Sequence, residues 1–181
     1  TSITIPKSVS EIACDSNYLL VRYGELEESA FNPFQCKNLK RIIVEEGNVN
    51  FKAIDGILYK KNKDSESGAE TLSLFVCPQS IEKEDIVVPS NVTGISAGAF
   101  KECETIKTVT LPDGVGGFST QTFYGCGNLE KVTMNVTGID VGADAFGGCK
   151  KLTDISNVHV RNVGRVGFGG CEKLEYVNIT G

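Results

Sequence analysis

Apolar residues recur at a fixed spacing along the C-terminal half of the chain. The repeat has the form Phe-x-x-Cys-x-x-Leu/Ile-x-x-Val/Ile, and its four clearest copies begin at Phe100, Phe123, Phe146 and Phe168. These phenylalanines are 23, 23 and 22 residues apart. A period in this range is typical of a solenoid, in which each repeat forms one coil and buries its apolar face against its neighbours. The pattern therefore predicts a repeat solenoid, mainly β.

The residues that follow each cysteine predict a short strand. In Leu129-Glu-Lys-Val132-Thr-Met134, side chains alternate between two faces, so Val132 and Met134 point inward while Lys131 and Thr133 point outward. One coil departs from this pattern because Asn157 stands at the second inward position; either Val158 replaces it through a bulge or Asn157 caps locally. The period predicts parallel pairing in one curved sheet of strands near residues 41–44, 108–111, 131–134, 154–157 and 176–179.

The N-terminal half follows the period less closely. Residues 1–44 contain degenerate repeats, and Asn17–Tyr23 within them predicts either an extra strand or a turn of helix. Residues 45–85 contain two apolar runs, Gly56–Tyr59 and Thr71–Cys77, around a polar segment, which predicts an inserted β-hairpin. Regular repeats of 22–23 residues fill 86–181, so we expect one solenoid domain over 1–181. Neither end shows a polar capping unit, and we expect the segment to belong to a longer protein.

The repeat resembles that of the BspA-like leucine-rich repeat family. The matching pattern is Ile-x-x-Ile-x-x-x-Ala-Phe-x-x-Cys-x-x-Leu-x-x-Val-x-Leu-Pro, which runs here from Val92 to Pro112 and, with gaps, over most of the chain. The segments Gly47–Tyr59 and Leu74–Pro78 resemble the hairpin-bearing unit of the same family. The resemblance implies a right-handed superhelix with its parallel sheet on the concave face. It also implies a secreted or cell-surface protein of adhesin type, and it supplies no catalytic residue.

Composition and charge narrow the class of partner. The 181 residues are 40% hydrophobic and 23% charged, which is a globular composition, and the net charge is −5. Because nucleic acids and anionic membranes attract clustered Lys and Arg, this balance disfavours both as main partners. No apolar run approaches the roughly 18–20 residues that a membrane crossing requires, so we expect no membrane insertion in this segment.

Residues that could support catalysis or hold a cofactor are sparse. His159 is the only histidine, and no Cys-x-x-Cys pair is present. The glycine-rich segment Gly164–Gly170 does not match Gly-x-Gly-x-x-Gly. Asp64, Glu66 and Glu70 lack the spacing of a calcium loop. We therefore expect no enzymatic activity, no cofactor and no metal site.

The seven cysteines are unusually many for a chain of this length. Five of them share one repeat position, which favours small, buried, free thiols stacked along the solenoid. Disulfides between stacked coils are the alternative, since strands about 4.8 Å apart allow the required Cα separation. The five are Cys36, Cys103, Cys126, Cys149 and Cys171.

Stacking also aligns the outward positions of the strands into a ladder, which is the candidate binding surface. We expect it to recognise a host or matrix protein, or a glycan, outside the cell or at its surface. The alternative is a structural spacer with no ligand of its own. The candidate contact residues are Arg41, Thr108, Thr110, Lys131, Thr133, Asp154, Tyr176 and Asn178.

Overall fold

A computed structural model describes residues 1–12, 18–22, 25–29, 34, 36–63 and 68–179, with the backbone alone for 18–22 and 25–29. These residues form fifteen strands and no helix, which confirms the β-solenoid. The strands are β1 Ser2–Ile5, β2 Tyr18–Arg22, β3 Glu25–Ser29, β4 Arg41–Val44, β5 Phe51–Ile54, β6 Ile57–Lys63, β7 Glu70–Val76, β8 Asp85–Val87, β9 Val92–Ile95, β10 Thr108–Thr110, β11 Gly117–Phe118, β12 Lys131–Thr133, β13 Ile139–Val141, β14 His159–Val163 and β15 Asn178–Ile179.

The first parallel sheet has the strand order β8-β10-β12 and carries the predicted ladder. Asp85 pairs with Thr108, and Thr108 pairs with Lys131, so each coil is in register with the next. A bridge between Lys131 and Asp154 adds a further coil. The inward residues Ile86, Val109 and Val132 are buried, as the alternation predicts.

The prediction of one continuous sheet is wrong at three places. Strand β4 pairs with β1 but not with β8, because the turn between β5 and β6 lies between β4 and β8. The Ile42 N–H donates to the Gly56 carbonyl of that turn (2.8 Å). Residues 154–157 supply only the bridge at Asp154. Strand β15 pairs with β14, which belongs to a different sheet.

The shortened strand after Asp154 has a local cause. The Asp154 carboxylate accepts hydrogen bonds from the Ser156 N–H (3.0 Å) and hydroxyl (2.7 Å), which turns the chain early. Val158 then occupies the buried position and Asn157 is exposed, so Val158 does replace Asn157 in this coil, but through a turn and not through the predicted bulge. The next strand begins at His159, which pairs with Asn178.

A second parallel sheet, which the sequence analysis did not predict, has the order β11-β13-β14-β15. Gly117 pairs with Asp140, and Ile139 pairs with Val160. Its buried residues include Phe118 and Val141. The core of the solenoid therefore lies between two stacks of short strands.

The inserted hairpin is present and has an additional strand. β6 and β7 pair in antiparallel fashion with Lys63 opposite Glu70, and β5 pairs with β6 on the other side. β7 also pairs in parallel with β9, giving the order β5-β6-β7-β9. Tyr18–Arg22 forms a strand rather than a helical turn, paired in antiparallel fashion with β3.

The hairpin sheet separates two hydrophobic clusters. Ile57 and Tyr59 on β6 pack into the large cluster that continues through the regular coils to Val160. Leu58, between them, packs into a smaller cluster with Ile5 and other N-terminal residues. Adjacent residues of one strand thus belong to different clusters.

The phenylalanines of the repeat form a stack along one corner of the solenoid. Ring centroids of Phe100 and Phe123 are 4.9 Å apart, those of Phe123 and Phe146 5.2 Å, and those of Phe146 and Phe168 5.1 Å. Interplanar angles between 8° and 17° show that the rings are nearly parallel. At the next coil toward the N-terminus, Cys77 takes the equivalent place, because its N–H donates to the Ala99 carbonyl as the Phe100 N–H does to Thr122.

Each cysteine of the regular coils donates its thiol to a carbonyl of the preceding coil. Sγ of Cys126 lies 2.9 Å from the Phe100 oxygen, Sγ of Cys149 3.1 Å from the Phe123 oxygen, and Sγ of Cys171 3.2 Å from the Phe146 oxygen. The thiols of Cys126, Cys149 and Cys171 therefore face backbone, and the described cysteines are free. This arrangement supports free thiols over disulfides.

The described cysteines differ in burial. Cys103, Cys126 and Cys149 are buried, and Cys171 is half-buried. Cys36 is exposed, contrary to prediction, because its turn precedes the regular coils and the sequence before it departs from the period. Burial raises the pKa of Cys103 and Cys126 and raises that of Cys171 to about 11, which disfavours the reactive thiolate.

Truncation of the central ring should show how much the stack stabilises the fold. Phe123 is fully buried between two other rings, so Phe123→Ala should lower the free energy of unfolding by about 3–5 kcal/mol. Val87→Ala, at a side chain that is 76% exposed, is the control and should change it by less than about 0.5 kcal/mol. Urea denaturation measures both. Similar effects of the two variants would show that the assigned register is incorrect.

Thiol labelling should separate the cysteines by burial. Cys36 should react with iodoacetamide in the native state at the rate of an exposed thiol. Cys103, Cys126 and Cys149 should react at least about 100-fold more slowly, since labelling there requires local opening that costs some 3 kcal/mol or more. Peptide mass spectrometry over a time course provides the measurement. A disulfide between any two of the three would contradict the structure.

Candidate functional site

The first outward row of the ladder consists of Asp85, Thr108, Lys131 and Asp154, one residue from each successive coil. The Thr108 hydroxyl donates to Asp85 Oδ1 (2.6 Å), and Lys131 Nζ lies 2.7 Å from Asp154 Oδ2. The polar groups of this row therefore bind one another across the coils. Of the predicted contact residues, the structure brings Thr108, Lys131 and Asp154 together here.

The second outward row consists of Val87, Thr110 and Thr133, paired in the same sheet. Thr110 is exposed and Thr133 half-buried. Val87 is 76% exposed, although it is a branched apolar side chain at the end of strand β8. This row presents methyl and hydroxyl groups and no charge.

The remaining predicted residues lie toward the ends of the ladder. Arg41 is exposed on β4, and the β5–β6 turn and β8 separate it from Thr108. Tyr176 is 64% exposed and lies outside the strands. Asn178 is half-buried on β15, in the second sheet, and its Nδ2 donates to the Ser156 carbonyl (2.6 Å). The structure therefore does not join Arg41, Tyr176 and Asn178 to the central rows.

Charged side chains around the ladder are paired between neighbouring coils. Lys83 Nζ lies 2.7 Å from Asp55 Oδ2, and Lys107 Nζ lies 2.8 Å from Glu84 Oε2. The hydrogen bond from Lys131 lowers the pKa of Asp154 well below its usual range, and Ser156 adds to the effect. Exposed pairs of this kind contribute little stability each, but they make the surface locally neutral.

The described residues offer little for catalysis or metal binding. No group of three or more His, Cys, Asp and Glu side chains in this part of the chain could hold a metal ion. His159 is half-buried at the start of β14. Asp64 and Glu66, considered for calcium, lie outside the described residues. Across the described ranges, no helix has the length and apolarity to cross a membrane.

Two parts of the surface were missed by the sequence analysis. Asp85 and Val87 flank Ile86 on β8 and could have been found, because Ile86 occupies the repeated inward position. The outward face of the second sheet carries Asp140 and Arg161. The sequence does contain a signal for the second sheet. It is a second set of apolar positions with spacings of 23, 23 and 22 residues, namely Ile95, Phe118, Val141 and Val163.

Solved structures with this fold come from bacterial proteins. The pneumococcal vaccine antigen PcpA superposes with a TM-score of 0.74 at 23% identity, over 98% of this chain and 38% of its own. A leucine-rich cell surface protein from Faecalibacterium prausnitzii gives 0.58 at 22% identity, over 81% and 43%. A leucine-rich repeat protein from Eubacterium ventriosum gives 0.56 at 20% identity, over 97% and 54%. The chain thus spans about two fifths to one half of the length of these proteins.

The sequence comparisons identify the family. No curated protein sequence matches the chain significantly. The profile of the BspA type leucine-rich repeat region matches six copies over residues 73–181, which is more than half of the chain and includes all the regular coils. These coils are the ones whose stacked Phe and Cys side chains form the corner of the solenoid. The chain therefore belongs to the BspA type leucine-rich repeat family.

Proposed function

We propose that this segment is a binding module of an extracellular or cell-surface protein, and that its outward ladder contacts a host or matrix protein. Family membership and the naming of one structural neighbour as a cell surface protein and another as a vaccine antigen support the location. The contact surface would centre on Val87, Thr110 and Thr133. Lys131 and Asp154 at its border would contribute mainly to orientation.

The exposure of Val87 is the observation that carries this proposal. Isolated exposed apolar residues are common, but this one ends strand β8 beside a row of threonine methyl groups. Ile43, nearer the N-terminus, is a further apolar outward residue at 40% exposure. The neighbouring lysines Lys107 and Lys131 are already ion-paired, and Asp85 accepts a hydrogen bond from Thr108, so a partner could cover this face without leaving a lysine unpaired.

The dimensions of the ladder suit an ordinary protein interface. From Arg41 to Asp154 the chain stacks five strand spacings, which is about 24 Å. A face of this length supports roughly 800 Å² per partner, the usual size of a specific interface. Additional coils in a longer protein would increase the total strength of binding by avidity.

The second outward row, Val87, Thr110 and Thr133, should be essential for binding if the proposal is correct. Immobilised fibronectin, laminin, collagen and fibrinogen would be tested against the wild type, Val87→Glu and the double variant Arg41→Ala/Tyr176→Ala. Val87→Glu should weaken binding at least about tenfold, because it buries an unpaired charge in the interface. The double variant should weaken it less, since those two residues lie toward the ends.

The matched control is Val49→Glu. Val49 is 75% exposed, against 76% for Val87, but lies off the ladder, so this variant should bind as the wild type does. Surface plasmon resonance gives the affinities, and thermal melting checks that the variants fold. Unchanged binding by Val87→Glu would place the interface elsewhere. If no protein binds, the spacer function replaces this proposal, and we expect no catalytic activity in either case.

A further inference from the structure

A shallow groove with a floor of glycines lies where strand β9 of the hairpin sheet meets strand β11 of the second sheet. Gly94 and Gly117 occupy equivalent outward positions of β9 and β11, with Gly116 beside them. Ser119 and Asp140 also line the groove, whose volume is about 290 Å³. The buried side chains of Ile95 and Phe118 lie beneath it.

Bulges determine which side chains border this groove. On β14, Val160 pairs with Ile139 and Asn162 pairs with Asp140, so Arg161 is the extra residue and has no partner on β13. The bulge brings Arg161 and Asn162 to the same carboxylate. Arg161 donates from Nε to Asp140 Oδ1 (3.1 Å) and from Nη2 to Oδ2 (2.7 Å), and Asn162 Nδ2 donates to Oδ1 (2.7 Å). Bulges commonly redirect side chains in this way beside functional sites.

The opposite border is formed by the hairpin. Ser73 on β7 pairs with Gly94, and its hydroxyl accepts a hydrogen bond from Asn62 Nδ2 (2.8 Å). Ser73 pairs with Gly94, Gly117 pairs with Asp140, and β9 contacts β11, so these four residues lie in a row across the groove. Polar side chains thus stand on both sides of a floor that has none.

Packing requires glycine at only some positions of this floor. A Cβ on Gly117 would lie 2.6 Å from the Asp140 carbonyl oxygen, so the fold requires glycine there. A Cβ on Gly116 would meet nothing within 4 Å, and its backbone is not in the left-handed region. Neither packing nor conformation requires glycine at 116, and its effect is to leave the groove open.

We propose that this groove binds the uncharged sugar residues of a glycan. Among the residues that the structure describes, Asp140 and Arg161 are the only charges at the groove and its Asp140 border, and they neutralise each other, so a charged ligand gains nothing there. Three hydrogen bonds, two from Arg161 and one from Asn162, fix the Asp140 carboxylate. A guanidinium has five N–H donors and an amide has both donor and acceptor groups, so these bonds leave further polar groups of Arg161 and Asn162 for a ligand. Sugar hydroxyls, which both donate and accept, match this set.

A peptide ligand fits the groove less well. Peptides gain specificity by inserting apolar side chains into pockets. Here the apolar residues beneath the floor, Ile95 and Phe118, are only 7% and 3% exposed and offer little surface. Recognition therefore depends on the polar groups at the borders, and this site is independent of the protein-binding ladder on the first sheet.

Filling the groove tests this assignment. The probe is a glycan microarray of neutral hexose and N-acetylhexosamine oligosaccharides beside sialylated and sulfated ones. The wild type should bind at least one neutral class, with a signal that 0.5 M NaCl leaves unchanged because no net charge is involved. Gly116→Gln should reduce that signal at least about tenfold, since its side chain occupies the floor.

Two further variants make the result specific. A Cβ on Gly127 also meets nothing within 4 Å, but this residue follows Cys126 at the phenylalanine corner, so Gly127→Gln is the matched control and should bind as the wild type does. Val87→Glu should also leave glycan binding unchanged, which separates this site from the ladder. Thermal midpoints of all variants should equal that of the wild type. Binding of no neutral glycan, binding of charged glycans only, or full binding by Gly116→Gln would each overturn the proposal.

Discussion

The stacking of one coil on the next at the Phe–Cys corner is the constraint on which the rest of this structure depends. Three interactions coincide there: ring stacking of Phe100, Phe123 and Phe146, thiol hydrogen bonds to the preceding coil, and amide hydrogen bonds such as Phe123 to Ala145. Aromatic contacts and burial supply most of the stabilisation, while the directional bonds set the register. Because a coil cannot bury its apolar face alone, it is stable only between neighbours.

Register at this corner determines the surface on both sheets. The same offset that places Phe123 on Phe100 places Lys131 beside Thr108 and Asp140 beside Gly117. One sheet then presents a neutral row of methyl and hydroxyl groups, and the other presents a groove bordered by hydrogen-bonding groups. Two chemically distinct faces arise from one repeat because most outward positions carry fewer packing constraints than the core, with Gly117 as an exception.

The repeat predicts the core well and the second sheet poorly. Spacing alone locates Phe123, Cys126, Leu129 and Val132, since burial requires the same residue type at each turn. The outward alignment of Lys131 and Asp154 also follows from the period. The second sheet escapes prediction because β14 carries a bulge at Arg161, as β9 of the hairpin sheet does at Thr93, and such bulges interrupt the alternation of apolar and polar residues. The early turn after Asp154 depends on hydrogen bonds to Ser156 that no spacing reveals.

The hairpin sheet has a consequence for how such proteins vary in length. Leu58 belongs to the N-terminal cluster while Ile57 and Tyr59 belong to the cluster of the regular coils, so β6 forms the boundary between two separately packed hydrophobic clusters. In a solenoid, the folding free energy is approximately a sum of terms for each coil and for its contacts with the neighbouring coils. A coil gained or lost on the C-terminal side of the hairpin sheet therefore changes the regular array and leaves the N-terminal packing intact. Evolution can therefore lengthen or shorten the regular array by whole coils without having to redesign the N-terminal unit.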